Sequence, residues 1–115
     1  TQQTAWRFID WVIETFEPVG WHVEYPLTHV LESGQVVQGS IDLLLETKDG
    51  WVIVDHKATL RPRTEWKEVA ESYSGQLAMY KAAVEAVSDK PVLGTWIHFP
   101  VGGGAVCLAK KFATN

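Results

Sequence analysis

The sequence is poor in cysteine, in long apolar runs and in basic charge. Cys107 is the only cysteine among 115 residues, which excludes an internal disulfide and a four-cysteine zinc or iron–sulfur site within the chain. No apolar stretch approaches the roughly 18 residues that span a bilayer, and no signal-peptide pattern opens the chain. These absences predict a reducing, cytoplasmic compartment and no membrane partner.

Basic residues are outnumbered, with 10 Lys and Arg against 14 Asp and Glu and a net charge of -4. This balance argues against autonomous binding to nucleic acid, because most duplex affinity comes from basic groups that replace phosphate counterions. A hydrophobic content of 46% and a length of 115 residues fit one compact domain over residues 1–115. The chain starts with Thr1 instead of Met, so we expect it to be excised from a longer polypeptide.

Three charges interrupt two strongly apolar segments. Asp42 lies within residues 39–44, and Asp55 and Lys57 end the run of residues 52–57. Apolar strands of this kind normally lie inside a sheet, where an ionised group without a partner costs several kcal/mol, roughly. The charges therefore require a partner, and a divalent cation is the natural candidate.

The turn between the two segments makes the prediction geometric. Asp49-Gly50 between apolar runs is a strong hairpin signal, because both residue types tolerate positive φ. Side chains alternate faces along a strand, so Asp55 and Lys57 share one face and His56 points away. The sequence therefore places two of the three charges side by side.

The length of the loop decides where Asp42 lies. A two-residue loop places it opposite Lys57, and a loop of residues 47–50 places it opposite Asp55. Both registers bring the three groups to one side of the sheet. A three-residue loop without a bulge would send Asp42 to the other face, because a one-residue slip inverts every side chain.

Two carboxylates beside a lysine suit a hard cation such as Mg²⁺, which prefers oxygen ligands and is often completed by phosphate oxygens. Such a cation polarises a phosphoryl group and activates water, while the lysine orients that water or neutralises developing charge. Phosphodiester hydrolysis is the leading chemistry. The alternative is an ordinary surface salt bridge at a hairpin, worth about 0 to 1 kcal/mol.

Three segments together resemble a known family. They are Gly39-x-Ile41-Asp42, the strand end Asp55-His56-Lys57, and a later segment of residues 76–80 that begins with Gln76 and ends with Tyr80. The combination resembles the PD-(D/E)xK nuclease superfamily. The likeness is strongest to the nuclease domain at the C-terminal end of RecB-like and AddA-like helicase-nucleases, and it extends over about residues 24–99.

The resemblance implies a fold and a set of roles. The fold would be an α/β, restriction-endonuclease-like three-layer core with a mixed central sheet flanked by helices. Asp42, Asp55 and the backbone carbonyl of His56 would bind Mg²⁺, for which Mn²⁺ could substitute. Lys57 would be the catalytic lysine. Gln76 and Tyr80 would line the site and contact the substrate.

The resemblance also implies an activity. The chain would be a metal-dependent deoxyribonuclease, an exonuclease in preference to an endonuclease, and the nuclease module of a helicase-nuclease in double-strand break repair and recombination. Its partners would be DNA and a helicase motor domain or subunit. Its location would be cytoplasmic and associated with the nucleoid.

Two departures from the family pattern leave alternatives open. Relatives usually carry Tyr where His56 stands, and they place a further metal ligand on an N-terminal helix. The helix predicted for residues 4–16 offers only Glu14 for that role. One alternative is therefore a catalytically inactive, nuclease-like module for DNA binding or protein interaction. Another is a small-molecule-binding α+β domain in which Asp42 and Lys57 form a simple pair.

Basic residues cluster beyond the predicted metal-binding strand. Arg61 and Arg63 follow Lys57, and we interpret them as a phosphate-facing loop that binds substrate, with a solvated connection as the alternative. Trp66 beside them is the best candidate for stacking on a base. His98 is interpreted as an ordinary strand residue.

The remaining pattern predicts the order of elements. Strands are expected over residues 21–31, 35–46, 92–99 and 105–110, and one long helix is expected to begin near Thr64. The inward stripe of that helix comprises Val69, Tyr73, Gln76, Leu77, Tyr80, Val84 and Val87. Gln76 is the one amide on this apolar face, and a buried amide without partners would cost roughly 1 to 3 kcal/mol.

Overall fold

The structure, a computed structural model, describes residues 2–110, with side chains described for residues 7–109. Its helices are α1 (Gln2–Phe16), α2 (Trp66–Glu71) and α3 (Ser74–Val87), with a 3₁₀ turn at Arg63–Glu65. Its strands are β1 (Gly20–Val30), β2 (Val36–Glu46), β3 (Trp51–His56), β4 (Val92–Phe99) and β5 (Gly104–Lys110). No helix of the described part of the chain is long and apolar enough to cross a membrane.

The five strands form one mixed sheet in the order β1-β2-β3-β4-β5. The β3–β4 pair is parallel, and the other three pairs are antiparallel. Two helices connect the parallel strands, as a crossover between such strands requires. The central strand is β3, which carries two of the three charges singled out from the sequence.

Helices cover both faces of the sheet. On one face Val12 of α1 packs against a set of side chains that comprises Leu43, Leu45, Val52 and Val54. On the other face α2 and α3 cover Ile53, Ile97 and Phe99. Each fully buried aliphatic or aromatic side chain of this size contributes about 1.5 to 3 kcal/mol through removal from water. The predicted three-layer α/β architecture is confirmed.

The β2–β3 loop has four residues, 47–50, because Glu46 pairs with Trp51. The side chain of Thr47 organises this loop: its hydroxyl donates to the carbonyl of Gly50 and accepts from the amides of Asp49 and Gly50. Gly50 is required by space and not by a positive φ, since a Cβ there would lie 2.4 Å from the Pro91 carbonyl oxygen. The second of the two predicted registers is the correct one.

Gly50→Ala is therefore expected to destabilise the fold by about 1 to 3 kcal/mol, because the methyl group has no room and the backbone must shift. Gly75→Ala is the matched control, since a Cβ at that helical position meets nothing within 4 Å. The control should unfold at the same urea concentration as the wild type or slightly above it. Equal midpoints for the two variants would contradict the packing argument.

The single long helix predicted after Thr64 is wrong, because the segment divides into a 3₁₀ turn, α2 and α3. The division follows from the last turn of α2, where the amides of Ser72 and Tyr73 bond to the carbonyls three residues back, at 3.2 and 3.0 Å. The Ser72 hydroxyl bonds to the same turn, and this tightened geometry ends an α-helix. The predicted inward stripe also fails at its end, since Val87 is 80% exposed.

Candidate active site

The three charged residues meet at the C-terminal end of the central strand. The β2–β3 ladder extends to the pair Leu43–Val54, so Asp42 comes next, opposite Asp55. The Asp42 carboxylate accepts the backbone N–H of His56 at 2.8 Å, in place of a further backbone pair. This contact holds the carboxylate of β2 against the C-terminal end of β3.

The ladder between β1 and β2 is interrupted beside Asp42. Glu24, which would face it, has φ of 53° and forms no pair. Such a backbone angle costs a non-glycine residue about 1 to 2 kcal/mol. Ile41 and Leu44 both enter the core under α3, although strict alternation would separate them. A local irregularity of the strand therefore adjusts the direction of Asp42, and no signal in the sequence predicts it.

Asp55 is the most constrained of the three groups, with a relative exposure of 4%. Its Oδ2 atom is buried, has no hydrogen-bond donor of good geometry, and lies 3.0 Å from Nζ of Lys57. Burial and the adjacent Asp42 carboxyl group raise the pKa of Asp55 to about 6, against the partial opposition of Lys57. Two carboxyl groups thus share a site that favours one negative charge less than they carry.

The ammonium of Lys57 is held from two sides. It pairs with Asp55 and lies 4.5 Å from the centroid of the Tyr73 ring. Burial acts to lower the pKa of Lys57, but the Asp55 hydrogen bond and the neighbouring negative charges outweigh it and raise the pKa. Lys57 therefore stays charged at neutral pH. The role of Tyr73 was missed from the sequence, which indicates only an aromatic residue on an apolar stripe.

Tyr80 approaches the same group of charges, while Gln76 is exposed and not buried as the stripe predicted. The Gln76 amide donates to the Tyr80 hydroxyl at 3.1 Å, which keeps it at the rim of the site. Burial and the charge of Asp55 raise the pKa of Tyr80. A Cβ on Gly39 would lie 3.2 Å from the Tyr80 ring, so the glycine before Asp42 makes room for this tyrosine.

The two arginines have intramolecular partners. Arg61 forms an ion pair with Glu65 and lies 3.8 Å from Glu68. Arg63 donates to the Gly102 carbonyl at 2.7 Å, and its guanidinium covers the Trp66 ring. Their role as substrate ligands stays a prediction.

Trp66 itself is in the core and cannot stack on a base. It is 7% exposed and stacks on Phe99 with ring centroids 4.7 Å apart. A tryptophan of this size buries a large apolar area, and that gain outweighs any exposure beside a basic loop.

The side chain of His56 points to the opposite face, as predicted. Its Nδ1 atom lies 2.9 Å from Nδ1 of His98, and Phe8 of α1 stacks on the His98 ring with centroids 4.1 Å apart. Burial and the nearby His56 lower the pKa of His98 to about 4, and burial lowers the pKa of His56 as well. His98 is therefore neutral at physiological pH.

Glu14 cannot complete the metal site. It is an exposed residue of α1, and α1 packs on the face of the sheet that carries Val52 and Val54. Asp55 alternates with Val54 and so belongs to the other face. Within residues 2–110 no group of three His, Cys, Asp or Glu side chains is placed to hold a metal ion.

The residues that are present nevertheless fit a hard divalent cation. Mg²⁺ is commonly bound through one or two carboxylates, with water and phosphate oxygens as the remaining ligands. Asp42 and Asp55 supply those two carboxylates, and the orphaned Oδ2 atom of Asp55 is a buried oxygen that lacks a donor. A cation would also offset the mutual repulsion that raises the pKa of Asp55.

This combination of fold and site defines a class of protein. A mixed sheet between two helical layers carries an Asp from the second strand and an Asp-x-Lys from the third, with Tyr80 packed against them. The profile of the PD-(D/E)XK nuclease superfamily matches residues 1–113. The chain belongs to this superfamily.

The chain is also similar to curated bacterial proteins that are named as the A-type subunits of ATP-dependent helicase/nucleases. It is 37% identical over 76 residues to the one from Pelotomaculum thermopropionicum and 34% identical over 82 residues to the one from Anoxybacillus flavithermus; each match covers 66% of this chain and 6% of the relative. The protein from Heliobacterium modesticaldum is 36% identical over 75 residues, 61% of this chain and 5% of the relative. The chain thus spans a small fraction of the length of these relatives.

Proposed function

We propose that this chain hydrolyses DNA phosphodiester bonds with Mg²⁺ as cofactor. The observation that carries the proposal is the buried Asp55 carboxylate, which lies beside Asp42 and 3.0 Å from the Lys57 ammonium at the end of the central strand. Neither the burial nor the shared face is needed to stabilise a hairpin. Both are needed to bring a cation, an ammonium and a phosphate oxygen together.

Each residue has a defined task in this scheme. Asp42 and Asp55 would hold the cation through carboxylate oxygens, with the His56 carbonyl as a further ligand. When bound, Mg²⁺ polarises a phosphoryl group and lowers the pKa of water. The Lys57 ammonium neutralises the charge that develops on the phosphate, and its contact with Tyr73 limits its movement.

Gln76 and Tyr80 form the rim on the same face. Their amide and hydroxyl groups can donate to phosphate oxygens or to sugar hydroxyls of a bound strand. Arg61 and Arg63 extend this surface, provided that DNA competes successfully with their internal partners. The acidic whole-molecule charge makes a second, basic partner necessary for tight binding.

The similar curated proteins suggest that partner. We propose that residues 1–115 act as one nuclease domain of a longer helicase-nuclease in double-strand break repair and recombination. The motor part would supply DNA to the site, in the cytoplasm near the nucleoid. A site that receives DNA from a motor meets strand ends, which favours exonuclease over endonuclease action. Mn²⁺ should substitute for Mg²⁺.

The test is cleavage of labelled linear duplex and single-stranded DNA, with covalently closed circular DNA as the comparison. We expect Mg²⁺-dependent and Mn²⁺-dependent release of short products from the linear substrates, and no reaction in the presence of EDTA. Cleavage that persists in EDTA would overturn the metal-dependent scheme. Equal cleavage of closed circles would replace exonuclease by endonuclease action.

An inactive nuclease-like module is the second candidate. The observation in its favour is that the described residues provide two carboxylates and no third side-chain ligand. Calorimetric titration with Mn²⁺ in the presence of DNA separates the two. Binding of DNA with neither Mn²⁺ uptake nor cleavage would favour the inactive module.

A further inference from the structure

We propose that His98 is a positioning residue for the nuclease site, acting through an imidazole–imidazole hydrogen bond to His56. The inference rests on the proposed function for its activity readout, but not for its structural one. It concerns the face of the sheet opposite the carboxylates. His98 belongs to β4 and does not touch the proposed cation site.

The end of β3 needs support because its pairing with β2 ends at Val54. Beyond that point one side of the strand is held by the Asp42 carboxylate, which accepts the His56 amide at 2.8 Å. The other side is held by His98, whose carbonyl accepts the Lys57 amide at 2.9 Å. The ring of His98 adds a third contact, with its Nδ1 atom 2.9 Å from that of His56.

The residue clamped in this way is the one between Asp55 and Lys57. Because side chains alternate along a strand, any rotation of the His56 backbone turns its two neighbours as well. Their carboxylate and ammonium groups are in contact at 3.0 Å on the far face. The ring pair therefore controls the relative direction of the two groups that the chemistry requires.

A purely apolar filler would not need this arrangement. His98 is 6% exposed, and a buried imidazole is costly unless its nitrogen atoms are bonded. Phe8 stacks on His98 and meets the His56 ring edge at a centroid distance of 5.2 Å, so both rings are packed in place. Because two Nδ1 atoms face each other, one ring must carry Nδ1–H and the other must be the Nε2–H tautomer.

The test compares His98→Phe with His98→Asn. Phenylalanine keeps the ring volume and the stacking on Phe8 but removes the nitrogen, whereas asparagine can place an amide near the position of Nδ1. We expect His98→Phe to lower kcat or the affinity for Mn²⁺ by about 10- to 100-fold, the usual effect of losing a residue that orients metal ligands. The KM for DNA should be unchanged, and His98→Asn should recover most of the loss.

His29→Phe is the matched control, since this histidine lies on the β1–β2 hairpin opposite Val37. It should have wild-type activity. A cycle with His56→Phe adds a second criterion: the double variant should be no worse than His98→Phe alone. Additive losses, or a fall in activity equal to that of the control, would overturn the proposal.

The structural readout does not depend on cleavage. In the wild type, ¹⁵N spectra should show one Nδ1–H and one Nε2–H tautomer, and in His98→Phe the Lys57 amide should exchange faster with solvent although the residue-98 carbonyl remains. Two Nε2–H rings, or unchanged exchange at Lys57, would overturn the bridge. If the wild type cleaves no DNA but shows both signatures, the proposed function fails and the bridge stands.

Discussion

Asp55→Asn should abolish DNA cleavage while it makes the metal-free protein more stable above pH 6. The variant removes a cation ligand and the partner of Lys57 in one step, and we expect activity to fall by at least about 10³-fold, the upper range for removal of one electrostatic group. The fold should survive, because asparagine has nearly the same shape. Cleavage assays and urea unfolding measure the two effects separately.

The sign of the stability effect follows from the pKa of Asp55. It is about 6 in the folded protein and 3.8 ordinarily, so the folded state holds this proton more tightly than the unfolded state does. Stability is therefore lost as the pH rises from about 4 to about 6. Above pH 6 the penalty is about 2 to 3 kcal/mol, because one pH unit corresponds to about 1.4 kcal/mol. Asp55→Asn should remove this dependence.

Asp49→Asn provides the matched control for Asp55→Asn. Asp49 is an exposed carboxylate in the loop at the other end of β3. Its removal should change neither cleavage nor the pH dependence of unfolding. Wild-type cleavage by Asp55→Asn would mean that the activity belongs to another site or to a contaminant. A destabilised Asp55→Asn at pH 7.5 would contradict the charge-repulsion account.

Lys57→Met should lower kcat by about 10²- to 10³-fold without preventing the binding of Mn²⁺. The methionine retains most of the side-chain length against Tyr73 but removes the positive charge. Without the ammonium the two carboxylates attract a divalent cation at least as strongly at pH 8, where Asp55 is ionised. Lys57 thus acts on the reaction, whereas Asp42 and Asp55 act on the cation.

Single-turnover cleavage and calorimetric titration with Mn²⁺ distinguish these roles. Lys48→Met, at an exposed position in the β2–β3 loop, is the control and should match the wild type in both measurements. Loss of Mn²⁺ binding in Lys57→Met would show that the lysine organises the carboxylates instead of serving the chemistry. Full activity of this variant would remove Lys57 from the mechanism.

The site could be anticipated because its information is local. Side-chain alternation places Asp55 and Lys57 on one face whatever the rest of the chain does. The apolar character of β2 and β3 indicates that the charges lie near a buried region. Two of the three loop lengths considered bring Asp42 to the same face, so the convergence did not depend on choosing between them.

Several features of the site could not be anticipated because they depend on contacts between distant segments. The choice of register came from Thr47, whose hydroxyl closes a four-residue loop. The cation–π contact of Tyr73 depends on the division of one expected helix into α2 and α3. The exposure of Gln76 follows from the same division, because the second helix starts with a new rotation about its axis.

The sequence alone determined which residues carry charge in an apolar setting, and strand periodicity then determined that they share a side of the sheet. Only the tertiary structure decided what surrounds them. It assigned α1 to the opposite face, which separates Glu14 from the carboxylates, and it joined His56 to His98 across a parallel pair of strands. The reason is range: alternation acts between neighbours in the chain, whereas burial, pKa shifts and ring pairing depend on segments that meet only after folding.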